Sequence, residues 1–181
     1  MALLTHFRVR FACVWLALAV VQGSARAQSA GEYELKAVFL YKFAGFVQWL
    51  DDSGKGAICI GVLGQDPFGT VLNVVIDGKN VNNRNFTVRR SGNARDLTSC
   101  QIVFISSSEK PRLRAILNQL QPDVLTVGDL PGFCEAGGVI GFELVDHRVR
   151  LRINLEAAQR DRLQISSKLL NLARLVEGGS R

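Results

Sequence analysis

Three arginines at alternate positions, Arg148, Arg150 and Arg152, form the clearest concentration of chemistry-bearing side chains in the sequence. Alternate residues of a strand share a face, so the three would stand in a row. Val149, Leu151 and Ile153 point the other way. A matching run, Val139 to Val145, lies just upstream, with Asp146 and His147 between the two. A two-residue connection suits a primed hairpin turn, and Asp and His are among the residues that tolerate φ > 0. That turn sets the register: Val145 opposite Arg148, Glu143 opposite Arg150, and Gly141 opposite Arg152. The other face pairs Leu144 with Val149, Phe142 with Leu151, and Ile140 with Ile153. One face is then apolar and packed, the other solvated and cationic, with Glu143 as its internal partner. A guanidinium can donate two parallel hydrogen bonds to a carboxylate, so the ladder suits recognition of acidic groups on a partner protein. With the flanking Asn154 and Arg160, the candidate partner-binding set is Glu143, Arg148, Arg150, Arg152, Asn154 and Arg160. A merely solvated face is the simpler use of the same pattern. An exposed hairpin edge is also a candidate homodimer surface.

Other chemistries have less support. After residue 27 the remaining histidine is His147, at a hairpin tip where it cannot readily be buried against a nucleophile and an acid, as a triad requires. Three dispersed cysteines and that histidine show no metal-ligand spacing, so neither metal nor cofactor is expected. Dispersed acids leave a carboxylate pair open, because sequence does not report their separation. Gly61, Gly64 and Gly69 are spaced G-x-x-G-x-x-x-x-G, unlike the dinucleotide fingerprint, and the following strand ends in Arg89-Arg90 without an acid for a ribose. The ends of the strands gather Gln65, Asp66, Ser106 to Ser108 and Asp129, where an open α/β sheet has its crevice. Gln65, Asp66, Ser106 and Asp129 are therefore a second candidate site, for a small ligand. Ordinary helix capping by Asp66 and Ser108 is the plain alternative.

The elements that must position these residues read as follows. Leu35, Phe39, Phe43, Phe46 and Leu50 recur at helical spacing and predict a helix over 30–50, its aromatic stripe packed in the core. Ala57 to Leu63 is a short apolar run suited to a buried parallel strand. Asp66 as N-cap and Pro67 at the first helical position open a helix through about Ile76, ended by Asp77-Gly78. Phe86 to Arg90, Ile102 to Ile105 and Val124 to Val127 read as further strands. Ala94 to Ser99 is a helical turn, and Ser108 caps a helix over Glu109 to Leu120. After the hairpin, Asn154 caps a short helix, and Ile165, Leu169, Leu172 and Val176 give a last, long helix its apolar face. Strands alternating with helices imply a mostly parallel, Rossmann-like α/β sheet flanked by helices, with the antiparallel hairpin at one edge. In a doubly wound order 2-1-3 the first and third strands are neighbours. Cys59 begins the first and Cys100 lies just before the third, so a Cys59–Cys100 disulfide is expected. Cys134 is left as a free thiol, either buried and inert or redox-sensitive and intermolecular.

The chain has 181 residues and is 48 % hydrophobic, enough for one domain with a substantial core. Arg8 and Arg10 precede an apolar stretch from Phe11 to Val21, shorter than the ~20 residues of a membrane helix, and Ala25-Arg26-Ala27 fits a small-x-small cleavage site. Residues 1–27 therefore read as a signal peptide and 28–181 as a single exported domain. Cleavage lowers the formal net charge from +6 to +3, because the leader holds Arg8, Arg10 and Arg26 and no acid. So small an excess, without a basic run and interleaved aromatics, does not point to nucleic acid. Export also permits the disulfide.

Six segments, in order, resemble the YfiR family of periplasmic proteins: KAVFLYKFAGFVQW from Lys36, CIGVLGQDPFG from Cys59, CQIVFISSSE from Cys100, GGVIGF from Gly137, VRLRINLEAA from Val149 and ISSKLLNLA from Ile165. The resemblance covers nearly all of the chain after the leader. It implies a periplasmic, non-enzymatic repressor that binds the periplasmic sensor domain of an inner-membrane diguanylate cyclase and lowers cyclic-di-GMP signalling and biofilm formation. It also implies relief of repression by an outer-membrane lipoprotein. Homodimer formation is a further expectation. A periplasmic small-ligand sensor is the alternative. Both Cys59 and Cys100 fit the family pattern. Some members hold a second cysteine pair near Cys134, where Gly141 takes the partner position here. Arg152 stands where the family commonly has Glu, and Leu50 where it usually has Pro.

Overall fold

The computed structural model describes residues 31–50, 56–120 and 122–176. The expected leader, residues 1–27, lies outside them. The chain divides into two units, residues 1–33 and 34–181, and the architecture below is that of the second.

The short apolar runs become strands buried on both faces. β2 (Ile58–Leu63), β5 (Ile102–Ile105) and β6 (Leu125–Gly128) contain no exposed residue, as parallel strands covered by helices on both sides require. With β1 (Val47–Trp49), β3 (Asn80–Val81), β4 (Arg84–Ser91), β7 (Ile140–Val145), β8 (Arg148–Asn154), β9 (Leu163–Ile165) and β10 (Ala173–Val176), they form two sheets. The larger has the order β10-β8-β7-β6-β5-β2-β4-β3, and β1 pairs with β9 in a separate two-stranded ribbon. The segment β4-β2-β5 is the expected 2-1-3 arrangement, all parallel, and it continues in parallel through β6 to β7.

Alternation along the strands makes two cores. Ile60, Phe104, Val127 and Phe142 face α1 (residues 34–43) and α2 (Val71–Ile76). Phe39 and Phe43 each stand 6.0 Å from Phe142, and Phe68 meets Phe104 edge-on at 4.8 Å. Each fully buried ring of this kind is worth roughly 1.5–3 kcal/mol over its exposed state. The opposite face packs Leu63, Val103 and Ile105 with Leu113, Ile116 and Leu117 of α3 (Leu113–Gln119) and with Phe133 and Cys134. The Cys59–Cys100 disulfide is present in this second core, with a Cα–Cα distance of 4.5 Å.

Four expected elements take a different form. The first helix ends at residue 43, and Val47–Trp49, expected as its last turn, pairs antiparallel with Leu163–Ile165. β-branched and aromatic residues accept strand geometry readily, and the distant partner decides the matter. Trp49 there donates its indole N–H to the Gln101 carbonyl. Asp66 does not start a helix: its Oδ1 accepts the Phe68 N–H in a local turn, Gly69 takes φ +54°, and α2 begins at Val71. Ser106, not Ser108, caps a 3₁₀ turn over Ser107–Arg112 containing Pro111, which has no N–H to give, and α3 follows it. The long last helix is absent. Its residues form β9, a single turn α5 (Ser167–Leu170) capped by Ser166, and β10. Leu172, assigned to its buried face, is 70 % exposed.

Candidate functional site

The β7–β8 hairpin has the expected register at all six pairs, from Val145↔Arg148 to Ile140↔Ile153. Asp146 and His147 both take positive φ, 48° and 60°, as a type I′ turn requires. The hairpin is not a sheet edge, however. β10 runs parallel to β8 along its outer side, pairing Arg174 with Arg152 and Leu175 with Ile153. Arg174 thereby joins the arginine face, which becomes a patch of Glu143, Arg148, Arg150, Arg152 and Arg174 across three strands. No local pattern signals this, because Leu, Ala and Arg are good helix formers and only a pairing partner makes four such residues a strand.

The patch has a fixed end and a free end. At the fixed end Arg152 is half-buried and pairs with Glu135 of the loop after β6, while Glu143 lies 4.0 Å away. Glu135 is the partner that hairpin register alone could not reveal. The Arg152 Nε is buried without a hydrogen-bond acceptor among the described residues. At the free end Arg148, Arg150 and Arg174 are exposed and have no ion-pair partner among the described residues. Neighbouring like charges at a wet surface repel by about 1 kcal/mol or less per pair, a cost that carboxylates on a partner would reverse.

The loop carrying Glu135 is held from beneath. Phe133 fills the space left by Gly128, where a Cβ would come within 2.6 Å of its ring. Asn154 donates from Nδ2 to the Cys134 carbonyl at 2.8 Å and accepts the Ala157 N–H on Oδ1 at 2.9 Å. It therefore caps α4 (Leu155–Arg160) and pins the loop at once. Expected as a partner contact, Asn154 is only 1 % exposed and supports the surface instead. Arg160 is committed to the same task, donating to the Gly137 carbonyl and pairing with Asp161, each at 3.1 Å.

Cys134 lies within this support, 1 % exposed and free. Burial, and secondarily the Glu135 charge, push its thiol up to about 12, so it stays protonated at neutral pH. A Cβ at Gly141 would fall 3.1 Å from its sulfur.

The four residues of the expected crevice serve the protein's own contacts. The Gln65 N–H donates to Ser108 Oγ at 3.0 Å, and Asp66 accepts from Arg90 at 2.6 Å. Ser106 is buried beneath its 3₁₀ turn, and Asp129 forms a buried ion pair with Lys36 at 2.8 Å. The Lys36 ammonium also stands 5.9 Å from the centroid of Phe142. Over Gly64, where a bound group would approach the sheet, Ser108 and Glu109 already lie within 2.5 Å of a hypothetical Cβ. Among the described residues no three His, Cys, Asp or Glu side chains come together as a metal site, and no helix is long and apolar enough to cross a membrane.

Fold and surface together define a small α/β domain with a charged face supported by a buried polar clamp. The sequence model of the YfiR/HmsC-like family matches residues 33–174, and the chain belongs to that family, which is regulatory rather than catalytic. No curated protein matches the chain.

Proposed function

We propose that the protein is a periplasmic regulator that binds the periplasmic sensor domain of an inner-membrane diguanylate cyclase and holds the cyclase inactive. Family membership supports the regulatory class. The observation that carries the binding mode is the row Arg148, Arg150 and Arg174, exposed on adjoining strands with no ion-pair partner among the described residues. Guanidinium groups fixed on a sheet are pre-ordered donors for carboxylates, and repression follows if the acidic surface they meet is presented in the cyclase's inactive conformation. Sequestration by an outer-membrane lipoprotein that competes for the same face would relieve it. Export through cleavage near Ala27 belongs to this reading, as does the treatment of 28–181 as one functional domain.

The test is cellular cyclic-di-GMP in a strain lacking the gene, its parent and a complemented strain. A rise on deletion that complementation reverses is expected. Equal levels in all three, under conditions where the cyclase is expressed, would refute the proposal.

A further inference from the structure

Only the start of β4 has a neighbour on its outer side. β3 covers Arg84 and Asn85, through Val81↔Arg84 and Asn80↔Asn85. The turn between the two strands, Asn82-Asn83, has φ of 52° and 62°, a two-residue type I′ turn whose closing pair exchanges both hydrogen bonds. Arg84 therefore directs its N–H and C=O away from β2, and by alternation so do Phe86, Val88 and Arg90. Ser91, in the opposite phase, accepts the Gly64 N–H on the β2 side at 3.0 Å. Among the described residues no strand lies beside Phe86, Val88 and Arg90, so their outward backbone groups form a template for one. Its two faces differ. On the α2 side the half-buried Phe86 and Val88 line a groove of about 740 Å³ with Asn73, Val74 and Ile76, and Val74 is 73 % exposed. On the other side Thr87 and Arg89 are exposed. Arg89 donates to neutral acceptors, the Asp96 carbonyl at 3.1 Å and Ser99 Oγ at 2.9 Å. Neither it nor Arg95, in the 3₁₀ turn after β4, pairs with a carboxylate among the described residues. Arg90, by contrast, is tied to Asp66, the Gly69 carbonyl and Asn73.

We propose that this edge is a strand-addition site for an extended segment of a different protein, apolar on one face and acidic on the other. The added strand runs antiparallel to β4, in line with β3, the better-bonded of the two directions and the one β3 already takes. It fills the gap from Arg90 to Phe86. Its residues opposite Arg90, Val88 and Phe86 exchange backbone hydrogen bonds with them, so every outward N–H and C=O finds its mate. Those same residues turn their side chains to the groove, where apolar groups cover Val74, Val88 and Phe86. The residues between them, opposite Arg89 and Thr87, lie on the other face, and a carboxylate opposite Arg89 meets a guanidinium that has no acid of its own. Main-chain bonds supply the affinity of such an addition and the alternate side chains its selectivity. A docked helix would leave the template unmet, because its own backbone groups are already bonded along its axis. The edge lies across the sheet from the arginine face, so the inference goes beyond the regulatory reading and does not depend on it.

The probe is an end-blocked peptide, Val-Glu-Val-Glu-Val, titrated into the isotope-labelled exported protein and followed by NMR. Saturable shifts in β4 and α2 are expected below about 1 mM peptide. Methylating the valine amide nitrogens, which face β4, should weaken binding at least tenfold, whereas methylating those of the glutamates, which face away, should leave it within about twofold. Lysine in place of both glutamates should weaken it at least fivefold, as should Arg89→Glu, and Val74→Glu should do the same from the groove side. Arg89 and Val74 are exposed, so both variants should fold, and circular dichroism checks this. Arg148→Glu/Arg150→Glu should leave binding unchanged. The absence of saturable binding at about 1 mM would overturn the proposal. So would binding indifferent to which amides are methylated, which would mean a groove ligand rather than an added strand. Amides of Phe86, Val88 and Arg90 that become protected as protein concentration alone rises would also overturn it, by showing a second copy at the edge.

Discussion

Cys134 shows how much a single residue's chemistry depends on its setting. In sequence it is an odd cysteine that could be reactive. In the structure its sulfur approaches the Val139 and Arg152 carbonyls at 3.8 and 3.5 Å, under a loop that Asn154 ties down. The thiol is accordingly raised from 9.0 to about 12, burial being the first cause and Glu135 the second. The native protein should therefore alkylate slowly at neutral pH and rapidly once unfolded. The linkage has a definite sign. A raised pKa means that the folded state holds the proton when the unfolded thiol has lost it, so this contribution is intact below pH 9.0 and is lost between there and about 12. Urea midpoints of the wild type and Cys134→Ala, compared at about pH 8 and about pH 11, should show the larger alkaline loss in the wild type. Equal losses would mean that the thiol titrates normally. Arg152 is a second case. Its guanidinium pairs with Glu135 of the loop after β6 and stands 4.0 Å from Glu143.

At the scale of elements, the disulfide and the last strand carry the main lessons. Cys59–Cys100 joins the starts of β2 and β5 across a sequence separation of 41 residues. In the chain-entropy picture, closing such a loop stabilises by roughly 4 kcal/mol, chiefly by restricting the unfolded chain. Replacing both cysteines by alanine should lower the urea-derived stability by about 3–4 kcal/mol while leaving the far-UV spectrum unchanged at low denaturant. A loss below about 1 kcal/mol would mean that the unfolded chain is already restricted. The strand order was legible because β2, β5 and β6 are continuous apolar runs with punctuation between them. β10 was not. Ala173–Val176 carries no strand signal of its own and exists because β8 offers an open edge. The same holds for β1, whose Val47–Trp49 fits a helical stripe as well as a strand until Leu163–Ile165 lies beside it.

For the whole molecule, the arrangement separates two surfaces by the width of the sheet: the arginine face over β7, β8 and β10, and the open edge of β4. Charge reversal at Arg148 and Arg150, with Arg174→Glu added, should leave the melting temperature nearly unchanged, because the three side chains are exposed. Binding to the purified periplasmic domain of the cyclase should weaken at least tenfold, about 1.4 kcal/mol, and wild-type binding should itself fall as salt is raised. A folded triple variant that still represses would remove the ladder from the interface. The alternative site at the strand ends is a matter of this same scale. Ser108 and Glu109 crowd Gly64 there, and Asp129 is engaged by Lys36.

Local pattern determined a good deal: the α/β class, the 2-1-3 strand order, the six-pair hairpin register, the disulfide and the arginine ladder. Each rests on interactions between residues close in sequence, or on the short list of topologies that right-handed connections allow. Tertiary structure alone decided that Arg174 joins the ladder, that Glu135 partners Arg152, that Asn154 is a buried clamp, and that the hairpin lies inside the sheet while β4 is left open. Those outcomes depend on which distant segment fills an unpaired edge or an uncovered face. The unsatisfied backbone and apolar surface that settle the choice exist only once the rest of the chain has packed.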